Sequence, residues 1–182
     1  MSDVADRYGR IADGFAARLQ GVPPGAWTSP SPCSDWTAHD VVAHLIDVTR
    51  GMVTRLTGGD PTPPDSDEDL VAAWRVESEA VRAGLADPDR ASTPVKGLGG
   101  EQPWQDLIGT VLCADTLLHT WDLARATGQD ERLDPAAVDA ATEFLTPNDT
   151  MLRGPGAFAE KIEPPPGADA QTRLLCFVGR QP

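Results

Sequence analysis

Three side chains have the types and spacing to hold a divalent metal: His44, Asp115 and His119. Asp115 and His119 are four residues apart. On a helix that spacing stacks them on one face, with Cβ atoms about 6 Å apart. Ile108, Val111 and Leu112 share that side, so the pair is directed inward. His44 falls between Val41 and Val48 on another apolar stripe. An aspartate aimed into a helical core is costly without a partner. A metal ion is one such partner. A D-x-x-x-H pair joined by a His from a facing helix gives three protein ligands and leaves a position for water or substrate, as in catalytic zinc sites. A hydrogen-bonded Asp–His core pair is the other partner, and the spacing alone leaves both open.

Other residues stand close by. Asp122 follows His119 by three, and Asp47 follows His44 by three. Either carboxylate could orient a ligand imidazole through its second nitrogen; Asp47 reads better as a helix-surface acid. His39 is five residues from His44 and so points to a different face, toward solvent or as a cap. Cys33, in Ser31-Pro32-Cys33-Ser34-Asp35-Trp36, fits either a thiol at a pocket mouth or a packed core residue. Cys113 and Cys176 read as packing. Arg153 could reach an anionic substrate from its loop, or stay at the surface without a role. The five tryptophans read mostly as core or loop anchors, with aromatic pocket lining open to one or two of them.

Helical patterns account for most of the chain. Val4, Tyr8, Ile11, Phe15 and Leu19 mark one face over 3–20, ended by a Gly/Pro cluster. Val41, Leu45, Val48, Met52 and Leu56 do the same over 38–57, with Thr37 and Asp40 as a capping-box start and Gly58-Gly59 as the stop. A third helix is expected over 67–86 with Ser66 as N-cap, and a fourth over 103–127 with Pro103 in its first turn and Gly128 as the stop. A shorter helix is expected from 135 to 145, an irregular Pro/Gly-rich stretch over 146–168 and a last short helix over 170–178. No segment alternates with period two over strand length. The expectation is an all-α fold: one domain over 1–182, built as a four-helix bundle with short extra C-terminal helices. The long 21–36 connection can cross an end of the bundle, so up-down-up-down order is not forced.

The chain has 182 residues and a formal charge of −13. Its 15 Lys+Arg are scattered. Such a surface repels phosphate backbones and anionic lipid, so no nucleic-acid or membrane partner is expected. No apolar run reaches the roughly 18–20 residues of a membrane span, and the N-terminus lacks the basic-then-apolar pattern of a signal peptide. Three widely spaced cysteines without a C-x-x-C pair suit a reduced, cytoplasmic protein.

Three blocks carry a family resemblance: Trp27 to Thr37 running on to Asp40-Val41-Val42-Ala43-His44-Leu45; Asp115-Thr116-Leu117-Leu118-His119-Thr120-Trp121-Asp122 through Gly128; and Arg173-Leu174-Leu175-Cys176-Phe177-Val178-Gly179-Arg180. Together they resemble the actinobacterial metal-binding branch of the DinB-like superfamily, which includes the N-terminal domain of mycothiol-dependent maleylpyruvate isomerase. The resemblance implies a DinB-like four-helix bundle holding a divalent metal, zinc first and nickel second. Its ligands would be one His from the second helix and an H-x-x-x-H or E-x-x-x-H pair from the fourth. Those positions are His44, Asp115 and His119, with Asp where the family often has His or Glu, shorter than Glu by one methylene. Asp122 would support His119 from behind. The extra C-terminal domain of the maleylpyruvate isomerases has no counterpart in the sequence, so that specific reaction is not the expectation.

The function expected is a metal-dependent S-transferase or isomerase that uses a low-molecular-weight thiol of the mycothiol type on a small electrophile. The partners would be that thiol and electrophile, with a homodimer as the assembly. A metal- or small-ligand-binding module without turnover, a metal-dependent hydrolase and a bundle with a purely hydrogen-bonded polar network are the alternatives.

Overall fold

The computed structural model describes residues 3–59, 62–63, 68–97, 99–153 and 158–182. Four long helical runs dominate it. Helix α1 (Asp3–Gln20) buries Tyr8, Ile11, Phe15 and Leu19, residues three or four apart. Helix α2 (Ala38–Thr57) begins at a complete capping box: Thr37 accepts from the Asp40 backbone N–H, and the Asp40 carboxylate accepts from that of Thr37. Helix α3 (Leu70–Ala86) starts later than 67 and is capped by Asp69, whose side chain accepts from the Val71 and Ala72 N–H groups. The expected cap, Ser66, lies outside the described residues. A one-turn helix α4 (Pro88–Ala91) follows, and then a structure that the sequence analysis did not expect.

Strands β1 (Pro94–Gly97) and β2 (Gly100–Pro103) pair antiparallel, Pro94 opposite Pro103 and Gly97 opposite Gly100. Pro103 therefore closes a strand instead of opening a helical turn. The fourth run begins at Trp104 as α5 (Trp104–Leu107), widens into a π-helical turn (Ile108–Leu112) and continues as α6 (Cys113–Thr127). Gly128, at φ 70°, ends it in the left-handed conformation that glycine takes without strain. Within the π turn, Arg7 of α1 donates to the Gly109 carbonyl at 3.1 Å. Helices α7 (Pro135–Leu145), α8 (Asp149–Leu152) and α9 (Ala170–Phe177) complete the chain; α8 adds one turn to a stretch expected to be irregular.

The molecule is mostly helical, with one two-stranded sheet among the described residues. Helices α1 and α2 each pack against both α3 and α6. They share a core that includes Phe15, Leu45, Trp74, Trp104, Ile108 and Leu118. Phe15 meets Trp74 edge-on at 4.6 Å, and the Trp104 indole N–H donates to the Met52 carbonyl at 2.8 Å. Among the described residues, no helix is long and apolar enough to cross a membrane.

Two connections position the site. The loop from α1 to α2 is fastened to the start of α2: Ser31 N–H donates to Trp36 O, Ala38 N–H to Ser29 O and His39 N–H to Trp27 O. Asp35 takes φ 66°, uncommon for a side-chain-bearing residue, in the turn just before Trp36. At the other terminus α9 ends in a Schellman motif, with the Arg180 N–H bonded to Leu175 O and the Gly179 N–H to Cys176 O. Gly179 sits at φ 82°, and a Cβ there would lie 2.7 Å from the Ala159 Cβ. Glycine is thus required both by conformation and by contact, and the motif turns Arg180 back into the protein.

Candidate metal centre

The capping box fixes the start of α2, and His44 follows two turns in. Across from it, α6 presents Asp115, His119 and Asp122. The structure brings these four together, with two additions from outside the helices, Trp36 and Cys33 of the α1–α2 loop, and a third from the C-terminus, Arg180.

His119 is the pivot. Its Nε2 faces Asp115 Oδ1 at 3.4 Å, and its Nδ1 faces Asp122 Oδ2 at 2.9 Å. On the Asp115 side, His44 Nε2 lies 3.4 Å from Asp115 Oδ2. That Oδ2 is buried yet has no hydrogen-bond partner. Donor atoms of His44, Asp115 and His119 all fall within 4.8 Å of one another. The side chains of His44 and Asp115 are 32% and 25% exposed, so this half of the cluster opens outward.

The Asp122 side is closed. Its carboxylate is 0% exposed and every near neighbour donates to it. Arg180 Nε reaches Oδ1 at 3.1 Å and Nη2 reaches Oδ2 at 2.9 Å. The Cys33 thiol donates to Oδ2 at 3.3 Å and accepts from Arg180 Nη2 at 3.3 Å. Cys33, His119 and Asp122 form a second group of clustered donor atoms, here with a guanidinium already against it. Trp36 lies over the imidazoles, its ring 4.8 Å from that of His44 and 5.8 Å from that of His119.

Electrostatics follows the geometry. Burial pushes the Asp115 carboxyl up, but the His119 and His44 imidazoles outweigh it and hold Asp115 well below the carboxylate range. Burial opposes charge on His119, yet Asp115 and Asp122, with Cys33, raise it well above the ordinary imidazole value. Asp122 is brought down to about 2 by its bonds to His119 and Arg180, against the effect of burial. Two anionic carboxylates therefore flank one imidazole. With Asp122 accepting from Nδ1–H, the Nε2 lone pair is the one left for a cation.

The residues fit a divalent metal. Two imidazole nitrogens and a carboxylate converge, one carboxylate oxygen accepts no hydrogen bond, and His119 is braced from behind by an acid, the arrangement that metal-bound histidines use. A metal would displace the proton that His119 otherwise holds.

The remaining candidates fall elsewhere. Asp47 stands outside both clusters. His39 is 41% exposed, 3.8 Å from Asp40, beyond hydrogen-bond length. Cys113 and Cys176 are buried, and burial pushes the Cys113 thiol up to about 11. Arg153 does not reach out for a substrate: Asp149 takes its Nε at 2.6 Å, and the Ala159 and Phe177 carbonyls take its Nη groups. Sequence reasoning gave Arg180 no role and Trp36 only the general one of anchor or pocket lining shared by all the tryptophans, although both stand in the blocks that carry the resemblance. The available signal for Arg180 was a glycine immediately after an amphipathic helix, which forecasts a turn but not its destination.

Comparison with known proteins extends the pattern beyond the site. Two uncharacterized proteins of Mycobacterium tuberculosis, from strains CDC 1551 and H37Rv, are each 36% identical over 176 residues, covering 94% of this chain and 94% of theirs. No solved structure gives a significant match. A family model described as the mycothiol maleylpyruvate isomerase N-terminal domain matches residues 8–124, a span that takes in Cys33, Trp36, His44, Asp115, His119 and Asp122. The chain belongs to the mycothiol maleylpyruvate isomerase N-terminal domain family, of the DinB-like superfamily.

Proposed function

We propose that this is a DinB-like four-helix bundle whose His44, Asp115 and His119 hold a divalent metal, zinc before nickel. Its activity would be a thiol-dependent S-transfer or isomerisation acting on a small electrophile in the cytoplasm. The observation that carries the reading is the buried Asp115 Oδ2, without a partner, set 3.4 Å from His44 Nε2 beside the His119 imidazole. In a purely structural polar network a buried carboxylate oxygen is as a rule hydrogen-bonded. The metal, when bound, supplies a Lewis acid that keeps a coordinated thiol as its thiolate at neutral pH.

The chain's own residues do the rest. Asp122 holds the Nδ1 proton of His119 and so directs Nε2 to the open side. Trp36 packs against both imidazoles and limits their movement. The partly exposed edge of His44 and Asp115 is the side left for a thiol and its electrophile. A mycothiol-type thiol matches the family's description.

The test is a cobalt(II)-loaded protein titrated with mycothiol. A near-ultraviolet sulfur-to-cobalt band together with a raised Tm is expected, and neither in His119→Ala. Loaded wild type whose spectrum and Tm ignore the thiol would sink the thiol reading.

A further inference from the structure

The two donor groups of the site share His119 and differ in what stands against them. Beside Cys33, His119 Nδ1 and Asp122 lies a cation that belongs to the protein, the Arg180 guanidinium. It spans three acceptors at once, both oxygens of Asp122 and the Cys33 sulfur, and its Nη1 donates to the Val178 carbonyl at 3.2 Å. It is 9% exposed and is delivered there by the Schellman turn at Gly179. A thiol, an imidazole nitrogen and a carboxylate form a softer donor set than His44–Asp115–His119, and zinc and cobalt favour such sets.

The geometry points to Arg180 as a positioning residue and resident cation: it occupies the Cys33–Asp122–His119 group, excludes metal from it, and holds Asp122 behind His119 so that metal is taken only through Nε2. The argument is steric and electrostatic. Both Asp122 oxygens are committed to the guanidinium fork. A second divalent cation would have to stand beside a fixed positive charge that is itself buried, where like charges repel strongly. Lysine could not replace the fork, because one ammonium cannot span a carboxylate and a thiol in fixed geometry.

The inference rests on the proposed ligand set for metal affinity but not for exclusion, and the two arms of the test separate them. Wild type, Arg180→Lys, Arg180→Ala and Arg180→Ala/Cys33→Ser are titrated with cobalt(II), with no thiol added. Wild type and Arg180→Lys should show no sulfur-to-cobalt charge-transfer band, and Arg180→Lys should bind about 10-fold more weakly, the loss typical of an outer-sphere partner. Arg180→Ala should gain the sulfur band, and the double variant should lose it again. A sulfur band in wild type, no band in folded Arg180→Ala, or full affinity in Arg180→Lys overturns the inference. Should circular dichroism show Arg180→Ala unfolded, the Arg180→Lys affinity decides. Wild type that takes no cobalt at all defeats the ligand set, while the band in Arg180→Ala still judges the exclusion.

Discussion

Asp115 and Asp122 are two aspartates on one helix, each against a different nitrogen of the same histidine, yet their surroundings are opposite. Asp122 is fully enclosed, and His119, Arg180 and Cys33 all donate to it. Asp115 is partly open, its nearest nitrogens stand at 3.4 Å, and one of its oxygens accepts nothing. The enclosed carboxylate has the signature of a finished ion pair, whose strength lies in complete partnering. The open one keeps an oxygen that accepts no hydrogen bond, which is what the proposed ligand role asks of it. His119 connects them, so the finished half fixes the geometry of the unfinished half.

Several measurements break or sharpen this contrast. The largest effect is expected on metal affinity from the pivot: His119→Ala should lose more than the roughly 10–100-fold that an outer partner costs, read by competition with a chromogenic chelator. Next is stability of the metal-free protein. Asp122→Ala strands a buried Arg180 and should cost about 3–5 kcal/mol in denaturant unfolding. Asp115→Ala, at a partly open position whose nearest nitrogens stand at 3.4 Å, should cost less than Asp122→Ala in the same unfolding measurement. Equal losses would erase the distinction.

A smaller effect is the pH dependence of the metal-free protein. Asp122 titrates lower in the folded than in the unfolded chain, near 2 against an ordinary 3.9 or so. Its contribution is therefore present above pH 4 and lost as pH falls toward 2. His119 is raised above its unfolded value of about 6.5, so its contribution is complete below that pH and fades as pH climbs through the folded value. Thermal scans should thus place maximum stability between about pH 4 and 6.5, and zinc should move it upward by replacing the His119 proton. A metal-free optimum above pH 8 would contradict the assignment. The smallest effect is chemical: half-buried Cys33 should take up a thiol reagent in the native protein, and Cys113 and Cys176 only after unfolding.

What could be read from the sequence follows a physical division. Helical periodicity is a local, repeated signal, so the stripes Tyr8–Leu19 and Val41–Met52 and the i, i+4 relation of Asp115 and His119 could be read directly. The hairpin could not: each strand is four residues long, bounded by Pro94, Gly97, Gly100 and Pro103, residues that read as turn punctuation, and too short to show alternation. The π turn at Ile108–Leu112 has no compositional mark either, though it sets the rotation of α6 relative to what precedes it. Arg180 meets Asp122 across 58 residues of chain, and no spacing rule reaches that far. Arg153 shows the converse, a loop arginine read as a substrate contact or, in preference, as a surface residue without a role, which instead ties α8 to the end of α9.

The central claim is that the open half of the cluster is a metal site and the closed half is not. The most direct test is metal content by mass spectrometry on tag-free protein incubated with zinc or nickel and then desalted, wild type beside Asp115→Ala, with folding of both checked by circular dichroism. The account predicts close to one metal per chain in wild type and almost none in the folded variant. A metal-free wild type, or a full equivalent retained without Asp115, would contradict it.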